Sequence, residues 1–190
     1  MNEAELTAHL KASGAFLDGH FLLSSGLHSP NYVQCALALS DTGWAARMGA
    51  ALAAAWKGPR PDLVLSPAMG GLIIGHETAR ALGLPFIFTE RESNAMTLRR
   101  GFSLKPGAKV LIVEDVFTTG KSTLETAAVV KAAGAETVGA ASVINRMGEK
   151  ALPFPSESLL KLALTALPAE SCPLCRAGVP LVKPGSRKFS

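Results

Sequence analysis

Apolar residues along the chain fall into two regimes. Near the N-terminus, residues 3 to 13 carry Leu6 and Leu10 four apart, which predicts a short amphipathic helix stopped by Gly14. The following "AFLDGHFLLSSGLHSPNYVQCALAL" has short apolar clusters broken by Gly19, Gly26 and Pro30, which predicts short strands and turns. Asp41 or Thr42 can cap a helix running to about Trp56, ended by Gly58 and Pro59. Beyond it the rhythm becomes α/β. "DLVLSP" is a strand, "GGLIIGHETARALG" a helix stopped by Gly83, "FIFTE" a second strand and "KVLIVED" a third. The near-continuous apolar run of the third strand suits burial on both faces. Ser122 and Glu125 have capping-box spacing for the next helix, which Gly134 ends. "TVGAASVIN" is a fourth strand, and "LLKLALTAL" fits a fifth strand or a helix. Strands alternating with helices predict a parallel sheet with right-handed crossovers. The tail "CPLCRAGVPLVKPGSRKFS" is turn-rich and predicts an extended arm.

Composition narrows the class. With 190 residues, 48% hydrophobic and 18% charged, the chain can bury a sizeable core. A net charge of +4 is either ordinary surface charge or an aid to attracting anions. Aromatics are sparse and no dense basic run exists beyond Arg99-Arg100, so neither a nucleic-acid surface nor a membrane partner is expected. The N-terminus lacks an apolar signal core, which predicts a cytoplasmic protein. Three cysteines do not make a disulfide framework. Cys172 and Cys175 form a single C-x-x-C; a closed zinc site there needs Cys35 or a histidine from elsewhere, and the other reading is thiols packed in the tail. His9, His20, His28 and His76 show no ligand spacing along the chain.

The informative chemistry lies in "VLIVEDVFTTGKST", residues 110 to 123. Its Gly120-Lys121-Ser122 imitates the end of a Walker A loop, whose first glycine would stand at 115, where the chain has Asp115. An acid there would oppose the phosphates of a nucleoside triphosphate. A single phosphate fits better, held by the free amides between strand and helix and by the hydroxyls of Thr118, Thr119, Ser122 and Thr123. Glu114 and Asp115 then supply acceptors for two ribose hydroxyls, so the ligand implied is a ribose 5-phosphate unit at the carboxyl edge of the sheet. A capped helix after a buried strand explains part of this pattern. Two acids, four hydroxyl residues and a glycine within ten positions exceed what a cap requires.

The E-D-V-F-T-T-G-K-S stretch resembles the ribose-phosphate signature of the type I phosphoribosyltransferases, which use 5-phosphoribosyl 1-diphosphate. With "GHFLLSSGLHSPNYVQ", "PAMGG", "ERESNAMTLRRGF", "VINR" and "CPLC…KPGSR", the chain resembles the bacterial orotate phosphoribosyltransferase family from about residue 15 to 187. The resemblance implies one domain with an α/β parallel-sheet core over about 41–167. A small N-terminal hood of about 1–40 would join the C-terminal arm 168–190. It implies transfer of the 5-phosphoribosyl group to orotate in pyrimidine synthesis, giving orotidine 5′-monophosphate and diphosphate, with Mg²⁺ as cofactor.

By the same resemblance, Glu114 and Asp115 hold the ribose hydroxyls, and Thr118, Thr119, Gly120, Lys121 and Ser122 hold the 5-phosphate. Ala68, Met69, Gly70 and Gly71 approach the diphosphate, although a tight strand-to-helix turn explains those residues equally well. Arg91, Arg99 and Arg100 clamp the diphosphate from a mobile loop that reaches a neighbouring subunit, implying a homodimer; read without the resemblance, the segment is an exposed charged hairpin. Thr118 and Arg146 face orotate. No metal ligation by a protein side chain is expected. Three positions depart from the family pattern: Ser24 and Gly70 replace lysines, and Asn145 replaces an aspartate. His28 or a loop arginine is the candidate substitute for the lysines. Base specificity thus stays open to uracil or a purine, and a regulatory binder that keeps the ribose-phosphate site without catalysis is the alternative outside enzymes.

Overall fold

The computed structural model of the chain describes residues 1–23, 25–162 and 164–184. Ser24 and the Gly185–Arg187 end of the tail motif lie outside the described residues. The chain opens with helix α1 (Glu3–Ala12), capped by Asn2, whose side chain accepts from the Glu5 amide at 2.8 Å. Strands β1 (Phe16–Leu22) and β2 (His28–Val33) form a separate antiparallel hairpin, with a register shift between Asp18 and Phe21. A short helix α2 (Cys35–Leu39), which the pattern of the segment does not predict, leads to α3 (Thr42–Ala55). Asp41 is the cap of α3, accepting from the Trp44 amide at 3.0 Å.

The core alternates as expected: β3 (Leu63–Pro67), α4 (Gly71–Leu82), β4 (Phe86–Glu92), β6 (Lys109–Phe117), α5 (Lys121–Ala132), β7 (Glu136–Asn145) and β8 (Ser156–Lys161). One strand breaks the alternation. "NAMTLRR" folds back on β4 as β5 (Ala95–Leu98), with Ser93 and Asn94 both at positive φ in the turn. The six-stranded sheet runs β5-β4-β3-β6-β7-β8, antiparallel only between β4 and β5. The tail has a 3₁₀ turn at Ala169–Ser171 and a four-residue helix, α6 (Pro173–Arg176).

Strand β6 shows why the sheet is the centre of the molecule. Val110, Leu111, Ile112 and Val113 are all fully buried. Because side chains alternate, Leu111 and Val113 join the cluster holding Leu6, Leu10, Met48, Leu52 and Ile74, while Val110 and Ile112 join the opposite one with Val130 and Phe117. Helices therefore cover both faces, and the β6 carboxyl end is the place where polar residues meet two helix starts. On the first face, α3 and α4 touch backbone to backbone: a Cβ on Gly49 would stand 2.6 Å from the Glu77 carbonyl carbon.

Candidate active site

The β6 periodicity separates the two acids at its end. Glu114 shares a face with Val110 and Ile112 and turns to the start of α5. Its Oε1 accepts from Ser122 Oγ at 2.7 Å and Thr123 Oγ1 at 2.8 Å. Asp115 shares a face with Leu111 and Val113 and turns to the start of α4. Its Oδ1 and Oδ2 stand 2.7 and 2.8 Å from where a Cβ on Gly70 would lie. The adjacent acids thus straddle the strand end, one against each helix start. The hydroxyl protons of Ser122 and Thr123, read from the sequence as phosphate donors, are taken by Glu114.

Burial sets the charge of this pair. Glu114 is 6% exposed, and its removal from water pushes its pKa up to about 7, against the pull of the Ser122 and Thr123 hydrogen bonds. Burial likewise raises the Asp115 pKa, opposed by its hydrogen bond from the Val116 amide at 2.8 Å. Among the described residues, neither acid is in an ion pair.

The loop after β6 holds its amides open. Gly120 is the N-cap of α5 at φ +74°, a left-handed conformation, and a Cβ there would meet Leu152 at 3.0 Å. The predicted Ser122–Glu125 capping box does not form: α5 has no side-chain cap, because Ser122 is held by Glu114 and Glu125 is drawn to Arg91 and Lys121. The Lys121 amide donates weakly to Thr119 Oγ1 at 3.4 Å, and the remaining uncapped first-turn amides at a dipole's positive end are what an oxyanion needs. Thr118 and Thr119 are exposed beside them, and Lys121 is 76% exposed.

The β3–α4 loop carries the second set of amides. The Ala68–Met69 peptide is cis, the Ala68 amide donates to Thr89 O at 2.7 Å, and Gly70 caps α4 without a side-chain bond. A lysine at Gly70, as in the family pattern, would put its Cβ against the Asp115 carboxylate, which would have to turn aside.

The three arginines of the β4–β5 segment all have acidic partners. Arg91 bonds Asn94 O at 2.6 Å and pairs with Glu125 of α5. Arg100 makes a two-pronged bond to Glu90 at 2.7 and 2.8 Å, and Arg99 pairs with Glu92 at 3.5 Å. The segment is thus a charged hairpin, with Arg91 the arginine tied to the helix that follows the phosphate loop.

Arg146 follows β7, on the same sheet edge. Its amide donates to Phe117 O at 2.8 Å, and its buried Nε has no hydrogen-bond partner among the described residues. Burial lowers its pKa, opposed by Tyr32 and Cys35, so it lies between the β1–β2 hairpin and the core. Cys35 Sγ reaches Asp115 O at 4.0 Å, joining the same junction. Asn145 caps the strand end by accepting from the Met147 amide at 2.8 Å. His28, the suggested lysine substitute, is engaged by His20 and Cys175. The residue that the motif reading missed is Glu125, which organises Arg91 and Lys121. Its Lys121–Glu125 i,i+4 spacing was the available signal.

Two strand-to-helix loops, an acid pair and a guanidinium whose Nε has no partner among the described residues lie along one parallel-sheet edge, where α/β folds bind phosphorylated ligands. Residues 47–155 match the family described as "Phosphoribosyl transferase domain", and the chain belongs to it. Within that family the resemblance is to orotate phosphoribosyltransferases. The one from Pelotomaculum thermopropionicum is 45% identical over 190 residues, covering all of both chains. That from Sphingopyxis alaskensis is 48% identical, again over the whole of both. Among solved structures, orotate phosphoribosyltransferase from Aeropyrum pernix superposes with a TM-score of 0.69 at 27% identity, covering 83% of this chain and 93% of that one. The Mycobacterium tuberculosis orotate phosphoribosyltransferase, in complex with inorganic phosphate, gives 0.64 at 27% identity, covering 84% and 95%.

Proposed function

We propose that this chain is an orotate phosphoribosyltransferase, moving the 5-phosphoribosyl group of 5-phosphoribosyl 1-diphosphate onto a ring nitrogen of orotate in pyrimidine synthesis. The observation that carries the reading is the position of Asp115, a carboxylate without a basic partner among the described residues, set between the β3–α4 and β6–α5 loops. Full-length similarity to orotate phosphoribosyltransferases supports the choice of base. The bond from the ribose anomeric carbon to diphosphate breaks as the bond to orotate forms, and positive charge develops on the sugar. The task of the site is to orient anions, stabilise that charge and exclude water.

In this reading, Asp115 and Glu114 accept from the ribose hydroxyls. The amides of Thr118, Thr119, Gly120, Lys121 and Ser122, with the Thr118 and Thr119 hydroxyls, hold the 5-phosphate, while the Ser122 hydroxyl stays on Glu114. Ala68, Met69, Gly70 and Gly71 present backbone to the diphosphate, and Arg91, Arg99 and Arg100 exchange their glutamate partners for it. Arg146, with Thr118, receives the orotate carboxylate, which would satisfy the Arg146 Nε.

Mg²⁺ is a hard cation that takes oxygen ligands, and an acid pair without basic partners among the described residues fits it. Asp115 and Glu114 would hold it through the substrate's hydroxyls and through water, with no direct protein ligand. When bound, it neutralises the departing diphosphate. Residues 1–40 and the C-terminal arm from 168 would form a hood over the 41–167 core within one domain, the 185–190 end of that arm lying outside the described residues. A homodimer sharing its sites accords with Met69 being 80% and Ile73 45% exposed beside the diphosphate loop. A cytoplasmic location suits substrates that are anions; no helix among the described residues is long and apolar enough to cross a membrane.

The test is turnover of the purified chain with 5-phosphoribosyl 1-diphosphate, Mg²⁺ and a panel of bases. Orotate is expected to be consumed, and uracil and hypoxanthine not. Turnover of another base without orotate would overturn the assignment, and tight ligand binding with no turnover would point to a regulatory binder.

A further inference from the structure

Away from the cleft, four side chains distant in sequence converge. His20 of β1, His28 of β2, and Cys172 and Cys175 at the start of α6 present ligand atoms that all lie within 4.8 Å of one another. His20 Nε2 is 3.5 Å from Cys172 Sγ and 3.6 Å from Cys175 Sγ, and His28 Nδ1 is 3.2 Å from Cys175 Sγ. The two histidine nitrogens are 2.9 Å apart. A tetrahedral zinc with bonds of about 2.3 Å to sulfur and about 2.0 Å to nitrogen separates sulfur from nitrogen by about 3.5 Å, which the 3.2–3.6 Å sulfur–nitrogen distances approach. It separates two nitrogens by about 3.3 Å, so the histidines at 2.9 Å would spread by a few tenths of an ångström on binding.

The surroundings are those of a built site. His20 is 2%, His28 7% and Cys172 3% exposed, and Cys175 stands at the surface. His20 Nδ1 lies 2.8 Å from Val179 O, so a proton on Nδ1 is held by that carbonyl and Nε2 is left with its lone pair toward the sulfurs. Sulfur and imidazole donors without a carboxylate select zinc over magnesium or calcium.

We propose that His20, His28, Cys172 and Cys175 form a closed, structural Cys₂His₂ zinc site that pins the β1–β2 hairpin to the C-terminal segment. Binding releases the two thiol protons to solvent and leaves zinc with two thiolates and two neutral imidazoles, a neutral centre. The clamp joins residues 152 apart, His20 and Cys172. It is flanked by the backbone bridges Phe21–Val182 and His28–Leu167. Since β2 carries Tyr32 and the chain leads on through Gln34 to Cys35 at the start of α2, beside Arg146 and Asp115, the zinc acts on the cleft only by positioning the hairpin. The site is independent of which base the enzyme uses.

The test is zinc content by elemental mass spectrometry on the full chain, purified without a histidine tag. About one zinc per chain is expected in the wild type and in Cys35→Ser, falling below about a tenth in Cys175→Ser and His28→Ala. Cys175 is at the surface, so its variant is expected to fold. Chelation of the wild type should lower its thermal midpoint, with recovery on adding Zn²⁺ but not Mg²⁺. Cobalt substitution should give a tetrahedral thiolate spectrum. Metal-free wild type that takes up no Zn²⁺, full zinc retention in Cys175→Ser, or a two-hydrogen mass loss showing a Cys172–Cys175 disulfide in fresh protein would each overturn the proposal.

Discussion

Gly70 and Asp115 share one small volume: a Cβ on Gly70 would fall 2.7 Å from Asp115 Oδ1. Gly70 has ordinary helical dihedrals (φ −57°, ψ −41°), so its requirement for glycine is contact and not backbone conformation. Replacing it with alanine should push the carboxylate away from the β3–α4 loop. Gly70→Ala is expected to lose about tenfold or more in kcat/KM for 5-phosphoribosyl 1-diphosphate. Its stability should change by less than about 1 kcal/mol, because the loop is at the surface. Steady-state kinetics with parallel thermal melts measure both. Unchanged kinetics would mean that the Asp115 position is unimportant.

Glu114 should leave a signature in stability against pH. Its folded pKa is raised from 4.5 to about 7, so the native state binds the proton more tightly than the unfolded state does. Stability from this group is therefore full below about pH 4.5 and lost as pH climbs through 7, by up to about 3 kcal/mol. Glu114→Gln, which mimics the neutral form, should gain on the wild type by a comparable amount between pH 5 and 8. Urea unfolding of both proteins at the two pH values gives the difference. Parallel curves would contradict the burial argument.

Arg146 has an unpartnered, buried Nε and no acid of its own among the described residues. Arg146→Ala should weaken orotate by about 1.5–3 kcal/mol, roughly 10- to 100-fold in its KM, and leave 5-phosphoribosyl 1-diphosphate binding within about twofold. Separate calorimetric titrations of the two ligands distinguish the cases, and equal loss of both would remove Arg146 from the base site.

The α3–α4 contact is the plainest stability prediction. Gly49 meets the Glu77 backbone at 2.6 Å from its would-be Cβ, and backbone cannot yield as a side-chain tip can. Gly49→Ala should force the helices apart and cost about 1–3 kcal/mol, read as a lower urea midpoint at constant slope. Kinetic constants of the folded fraction should stay unchanged.

Much of this architecture is legible in the pattern of residues, and its gaps have physical reasons. β6 is plain because four consecutive apolar residues buried on both faces admit few other readings. The start of α5 is misleading because Ser122 and Glu125 have capping-box spacing, yet each finds a partner outside the helix, Glu114 for one and Arg91 for the other. β5 is hidden because its four residues lie in a charged stretch, where local composition says loop and pairing with β4 decides. The acids of the site are visible as a pair, but the strand's two-residue period sends them to opposite faces. The His20–His28–Cys172–Cys175 cluster is invisible to spacing along the chain, since a hairpin and a tail bring it together over some 150 residues.

The most direct measurement is orotidine 5′-monophosphate formation from orotate and 5-phosphoribosyl 1-diphosphate with Mg²⁺, for wild type and Asp115→Asn side by side. The wild type should make product. The variant should retain its thermal midpoint within a few degrees and lose about 100-fold or more in kcat/KM, as removal of a well-placed charge at a reacting centre does. A wild type inactive on orotate, or a folded Asp115→Asn enzyme as fast as its parent, would contradict the account.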